Sequence, residues 1–176
     1  LSMNYTMTMG GMGKLGLLFQ GTKVADFSTQ PLTTTGSYDC TGYYGATCGS
    51  PTPKWRHILG VNWLTPWAGL DLNARWRYIG DVNVDSSSSN PQLAGPYQPG
   101  FSHIGGYSYF DLEASISYGS HLSFRAGVNN IFDKGPPIVL NGNYSNCPNT
   151  TCNDNTWVGT YDTMGRYLFA HITAKF

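Results

Sequence analysis

Charge is the scarcest feature of this 176-residue chain: ten Lys and Arg stand against ten Asp and Glu, 11% of residues with a net charge of zero. A soluble domain carries about 25% charged residues, so this composition does not describe a surface held in water by charge. With no net charge and no basic run, nucleic acid is excluded as a partner. Long apolar runs are missing too, the longest being Leu15-Gly16-Leu17-Leu18-Phe19. A transmembrane helix needs roughly 18 or more apolar residues in a row. A membrane is not thereby excluded, because a β-barrel crosses with strands of about 9–11 alternating residues. Sustained helical periodicity is absent as well, and Gly or Pro interrupts most long stretches. No basic and apolar leader precedes Leu1, so the chain reads as a mature protein or as a piece of something longer.

Catalytic signatures are also missing. There is no G-x-S-x-G, no H-E-x-x-H and no Gly-rich phosphate loop, and Ser, His and Asp are not organised by spacing. No enzyme activity and no cofactor are expected. The four cysteines form two close pairs, Cys40 with Cys48 and Cys147 with Cys152, each within a stretch rich in Gly, Asn, Thr, Pro and Ser. Neither pair has CxxC spacing, and His57, His103, His121 and His171 are scattered, so local disulfides in an oxidising compartment are expected rather than zinc.

What the chain has is aromatic residues (5 Trp, 12 Tyr, 8 Phe), 22 Gly, and alternation of period two. Phe110, Leu112, Ala114, Ile116 and Tyr118 alternate with Asp111, Glu113, Ser115 and Ser117, the pattern of a strand with one apolar and one polar face. Leu122, Phe124, Ala126 and Val128 repeat it, as do Leu72, Ala74 and Trp76, and finally Leu168, Ala170, Ile172, Ala174 and Phe176. The pattern predicts six strands, at roughly 12–27, 54–65, 70–82, 107–118, 122–132 and 164–176. Short links alternate with long ones that hold the cysteines, a run of four Ser and most of the Pro. Short turns on one side and long loops on the other are the pattern of an outer-membrane barrel.

Register follows because paired residues must share a face. A three-residue turn Gly119-Ser120-His121 pairs Ile116 with Phe124 and Ala114 with Ala126, and leaves Glu113 diagonal to Arg125. A four-residue turn Pro66-Trp67-Ala68-Gly69 pairs Trp63 with Leu72, Leu59 with Trp76 and Lys54 with Asp81, sets Gly60 opposite Arg75, and keeps Arg56 away from Arg77. Alternation alone does not say whether the apolar face meets lipid or a second sheet. Trp55, Trp63, Trp67, Tyr78, Tyr107, Tyr118 and Phe176, near strand ends, match interfacial girdles and favour lipid.

The segment Arg125-Ala126-Gly127-Val128-Asn129-Asn130-Ile131-Phe132-Asp133-Lys134-Gly135-Pro136-Pro137 resembles the penultimate strand of TonB-dependent outer-membrane transporters, where an Asn, an aliphatic, a Phe and an Asp lead into the last outer loop. Tyr161-Asp162-Thr163-Met164-Gly165-Arg166, with Leu168 to Phe176, resembles the closing strand, and Pro53-Lys54-Trp55-Arg56-His57 is similar to a strand start in proteobacterial members. The resemblance implies an all-β, antiparallel transmembrane β-barrel segment, about six strands of a barrel of about 22, with short periplasmic turns and long extracellular loops. It implies that residues 1–176 are the C-terminal portion of the barrel, without the plug domain and earlier strands. The parent would import a scarce nutrient such as an iron-siderophore complex, cobalamin or a saccharide across the bacterial outer membrane. Its partners would be outer-membrane lipid, the TonB complex through the missing N-terminal part, and the assembly machinery, which reads a C-terminal signal here comprising Leu168, Ala170, Ile172, Ala174 and Phe176.

On the polar face, Arg75, Arg77, Asp111, Glu113 and Arg125 are candidates to face the lumen and contact a substrate or the plug, or else form a solvated charge ladder in the wall. Tyr43, Tyr44, Tyr97, Phe101, Tyr107 and Tyr144 are candidates for a ligand-catching loop surface, or pack their own loops. Asp154 and Asp162 invite a Ca²⁺ reading, but the D-x-[DN]-x-[DN]-G loop is absent and no metal is expected. Two competing readings remain: a complete small barrel, for which strands are too few, and a secreted, disulfide-tied β-sandwich that binds carbohydrate. The sandwich requires Trp76, Leu112 and Phe124 to be buried against a second sheet.

Overall fold

The computed structural model describes residues 1–67, 69–119, 121–139 and 156–175. In chain order its strands are β1 (Ser2–Thr8), β2 (Lys14–Lys23), β3 (Ser28–Thr29), β4 (Tyr38–Asp39), β5 (Tyr43–Tyr44), β6 (Trp55–Leu64), β7 (Leu70–Ile79), β8 (Val82–Val84), β9 (His103–Ile104), β10 (Tyr107–Tyr118), β11 (Leu122–Asn129) and β12 (Tyr167–Ala174). The helical elements among the described residues are three single 3₁₀ turns.

Seven strands form one antiparallel sheet in the order β1-β2-β6-β7-β10-β11-β12, an up-and-down meander that stays open, with β1 and β12 as its edges. The sheet therefore has one strand more than the six expected. The addition is β1, where Met3, Tyr5 and Met7 alternate with Ser2, Asn4, Thr6 and Thr8, and whose pairing sets Met3 against Phe19. Both hairpin registers are as expected: Ile116 pairs with Phe124 and Ala114 with Ala126, while Trp63 pairs with Leu72, Leu59 with Trp76 and Gly60 with Arg75. The β6–β7 ladder ends at Arg56 and Ile79, short of the Lys54–Asp81 pair expected beyond it, because Gly80 N–H already turns in to donate to the Trp55 carbonyl (2.8 Å).

The register stacks apolar residues into rows across the sheet. One row reads Leu17, Val61, Ala74, Leu112, Val128, Leu168. This face is not a core: Leu112 is 46% exposed, Phe124 43% and Ile172 65%. Among the described residues no second sheet covers it, which contradicts the sandwich, since Leu112 and Phe124 lie open and Trp76 is half-buried against Phe110, His57 and Tyr78 of its own sheet. A fully buried Leu or Phe contributes about 1.5–3 kcal/mol, and an open row of them is tolerable only against an apolar solvent.

Aromatic rings edge this face at both ends. At the long-loop end, Phe19, Trp55, His57, Trp76, Tyr78, Phe110 and Phe132 make a chain of ring contacts with centroids 4.6–6.2 Å apart. At the turn end, Trp63 meets Trp67 edge-on at 5.7 Å and Tyr118 is exposed. Between the two belts run strands of 8–12 residues, a length that spans a bilayer when tilted. Gly21 belongs beneath the first belt: the Trp55 ring lies across it, and a Cβ there would occupy the ring's place. Tyr107 departs from the girdle expectation. Its parity with Tyr109 and Asp111 puts it on the polar face, against Tyr161 (5.2 Å). Phe176 lies outside the described residues.

The buried core sits at the long-loop end. Strand β8 pairs with β5 in parallel and with β9 antiparallel, bringing together segments of two long loops, the one before β6 and the one between β7 and β10. Tyr44, Val82, Val84, Ile104, Val139, Trp157 and Tyr161 are buried there, with Ile79 and Tyr107 packed on them.

Candidate functional site

On the polar face, near the long loops, charge is concentrated on β7 and β10. Asp111 lies directly opposite Arg75, and Tyr109 opposite Arg77. The longer reach of the diagonal decides the pairing. Arg77 donates to Asp111 with two parallel bonds, from Nε and Nη2, both 2.9 Å, the bidentate geometry that suits guanidinium and carboxylate best. Arg75 stays 3.9 Å away and half exposed. Asp111 is buried, and a buried carboxylate needs its oxygens filled. The Asn130 backbone N–H supplies a further bond at 2.9 Å. The Arg77 guanidinium also lies over the Tyr109 ring, 5.1 Å from its centroid.

Asn130 takes a left-handed backbone (φ 50°), as does Asp133 (φ 53°), a conformation that Asn and Asp tolerate better than other side chains. Asn130 Nδ2 donates to the Lys134 carbonyl and its Oδ1 accepts from the Lys134 N–H, both 2.9 Å. Asp133 Oδ1 accepts from the Arg166 N–H (2.8 Å), clamping the returning chain just before β12. Phe132 points to the apolar face, edge-on to Phe110. The Asn-Ile-Phe-Asp motif is thus a turn whose polar residues tie the loop and whose aromatic residue extends the belt.

From the last long loop, Asp162 reaches back to the sheet. Its Oδ2 accepts from Arg77 Nη2 at 3.4 Å and its N–H donates to the Tyr109 hydroxyl at 3.3 Å. An aspartate so engaged is a latch between loop and sheet, which gives Asp162 a partner other than a metal; Asp154 lies outside the described residues. Burial, with the neighbouring phenols of Tyr109, Tyr107 and Tyr44, pushes the adjacent Tyr161 hydroxyl well above the ordinary tyrosine range.

Between this latch and the neighbouring strands is a cavity of about 320 Å³ lined on the polar face by Gln20, Thr22, Arg56, Ile58, Arg77, Tyr109 and Thr160. A larger hollow, about 780 Å³, lies among apolar residues including Val61, Leu72, Ala74, Leu112, Ala126 and Leu168. That hollow is spacing between large side chains around small ones on the exposed apolar face. The smaller cavity, with its donors, is the candidate site.

The five charged candidates therefore fall into two groups. Arg75, Arg77 and Asp111 surround the latch, while Arg125 and Glu113 form a separate diagonal pair nearer the turns, 3.4 Å apart. The loop aromatics divide as well. Tyr44 and Tyr107 belong to the loop core, Tyr97 and Phe101 are exposed, and Tyr144 lies outside the described residues. Cys40 and Cys48 are joined in a disulfide with Cα atoms 5.4 Å apart; Cys147 and Cys152 lie outside the described residues. The disulfide loop is tied down by buried Asp85, whose Oδ2 accepts the N–H groups of Thr47 (2.7 Å) and Cys48 (2.9 Å). Gln20, Thr22, Arg56 and Thr160 carry no sequence motif. Their only signal is strand parity, which places Gln20, Thr22 and Arg56 on the polar face with Arg77.

The family model for TonB dependent receptor-like β-barrels matches residues 2–131, well over half of the chain. The match takes in β1 to β11 and stops inside the Asn-Ile-Phe-Asp turn. No solved structure matches the chain significantly.

Proposed function

Because the chain belongs to the TonB dependent receptor-like β-barrel family, whose members are outer-membrane transporters rather than enzymes, we infer that it supplies the C-terminal portion of such a transporter's barrel wall. The observation that carries this reading is the single sheet whose apolar side chains are exposed while its polar face is tied by charge and hydrogen bonds. On this reading the apolar face meets outer-membrane lipid and Arg75, Arg77, Asp111, Glu113 and Arg125 face the lumen. The unpaired edges β1 and β12 join further strands, since open edges in lipid leave backbone groups unsatisfied. The parent protein imports a scarce small nutrient, iron-siderophore complex, cobalamin or saccharide, with energy relayed by the TonB complex through a part of the protein outside this chain. Leu168, Ala170, Ile172 and Ala174 share the apolar face of the last strand and, with Phe176, present the assembly signal.

The test is carbene labelling from the lipid phase, applied to the receptor in outer-membrane vesicles. Label is expected at Leu112, Phe124 and Ile172 and not at Arg75, Glu113 or Arg125. Label on the charged set, or on neither set, overturns the assignment of faces.

A further inference from the structure

The cavity on the polar face combines donors that lack partners with an arginine shared between two carboxylates. Arg77 Nη2 holds Asp111 at 2.9 Å but Asp162 at 3.4 Å. The Asp111 contact is backed by a second bond through Nε and by the burial of that carboxylate. The Asp162 contact is the longer of the two and is a single bond, while the other Asp162 oxygen accepts the Met164 N–H within its own loop (3.1 Å). Among the described residues, the side chains of Gln20, Thr22 and Arg56 make no hydrogen bond or ion pair, and all three are exposed into the cavity. Three guanidinium groups (Arg56, Arg75, Arg77) face two carboxylates (Asp111, Asp162) in this part of the sheet, leaving one positive charge unbalanced.

We propose that this cavity is an anion subsite in which a carboxylate or phosphate group of a small ligand binds Arg56 and displaces Asp162 from Arg77. Asp162 holds the Arg77 end of the site through this contact, and the entering anion takes its place there. The exchange is local. Trp157 and Tyr161 stay in the loop core, while Thr160, Asp162 and the Asp162 N–H bond to Tyr109 shift. A ligand arriving from the long-loop side is thereby sensed by the loop above it. This rests on the barrel reading only in calling the polar face the lumen; it favours an anionic nutrient over a neutral saccharide.

Arginine modification by phenylglyoxal, read by mass spectrometry on the receptor in outer-membrane vesicles, tests it. Inorganic phosphate, acetate and glucose are the probes. Phosphate or acetate should protect Arg56 and Arg77 together, and glucose neither. Protection by phosphate alone assigns a phosphoryl ligand, and by acetate alone a carboxylate. Asp162→Asn, which removes the competing charge but keeps the hydrogen-bonding shape, should lower the half-protecting concentration about five- to tenfold. Arg56→Gln should abolish protection of Arg77 by either anion. Unchanged modification at saturating phosphate and acetate, or an Asp162→Asn variant that responds like the parent, overturns the subsite. Lipid-phase labelling of Leu112 and Phe124 in the same vesicles shows separately whether the barrel reading stands.

Discussion

In the outer cap formed by the long loops, Tyr44, Val82, Val84 and Trp157 are exposed by 2% or less, whereas in the wall Leu168 is 76% exposed and Ile172 65%. Both regions use the same residue types, and the difference is the solvent each was built for. On the proposed barrel reading the cap would stand in water, and it assembles a core from what its loops bring together, here strands of two and three residues braced by a disulfide. On that reading the wall leaves its apolar side chains facing lipid and turns its polar face inward, where charges pair. Cohesion follows suit. The cap is held by packing and the wall by a continuous backbone ladder with cross-strand pairs.

The sharpest way to separate the two is to remove a large cap side chain. Trp157→Ala should cost the cap about 3–5 kcal/mol, exposing segments 24–54 and 80–106 to protease while the strands of the wall stay protected. Cleavage that spreads into β7 or β10 would mean that the two regions unfold together. Next in size is a charge placed in the wall. Leu112→Arg should destabilise by about 2–4 kcal/mol if it lies near the bilayer midplane, measured as loss of assembled protein. Asn73→Arg, on the polar face opposite Glu113, should be nearly silent, and equal effects of the two would erase the distinction between faces.

These regions also differ in how far they can be read from sequence. The wall is legible because period two and the same-face rule leave one register at Gly119-Ser120-His121, and the strand 107–118 is found to the residue. Strand β1 escapes because its apolar residues beyond Tyr5 are Met, which carry a weak strand preference, although their alternation is intact. The cap is not legible. Val82, Val84, Ile104 and Trp157 sit in separate Gly-, Ser- and Pro-rich stretches, and no periodicity links residues whose only relation is to meet in space. Tyr107 shows the error in small: position at a strand end suggested the membrane belt, but parity with Tyr109 placed it under the cap. The charged pairs were half visible, since parity fixes their face, while side-chain reach fixes that Asp111 takes Arg77 rather than Arg75.

Two smaller perturbations sharpen the contrast further. Replacing Cys40 and Cys48 together by Ser should remove about 2–3 kcal/mol from the cap alone, read as faster amide exchange across 40–52 with the wall unchanged. Asp111→Asn acts on the wall and the latch together. It leaves the Arg77 charge with only Asp162, and because Arg77 is partly open to water the loss should be about 1–3 kcal/mol. Exchange at Asn130, whose N–H donates to Asp111, should rise, and an unchanged rate there would show that the turn holds without the carboxylate.

The smallest effect is expected from acid, and only in the cap. Asp39 Oδ1 accepts the N–H groups of Phe27 (3.0 Å) and Thr41 (2.8 Å), tying the start of the first long loop to the β4 segment. Burial works to raise its pKa, but the hydrogen bonds from Thr41 and Phe27 and the charge of Lys54 outweigh it and hold the carboxyl below its ordinary value of 3.8. A carboxylate whose folded pKa lies below its unfolded one stabilises the fold above the unfolded value, and that stabilisation is lost as pH falls through the folded one. The Phe27 and Thr41 amides should therefore keep their protection through neutral and mildly acidic solution and lose it only below the usual carboxylate range. Amides of β10 should show no such step, because backbone partners across the sheet do not titrate. Asp39→Asn should abolish the step at Phe27 and Thr41. A step that persists in that variant would move the acid-sensitive group elsewhere in the cap.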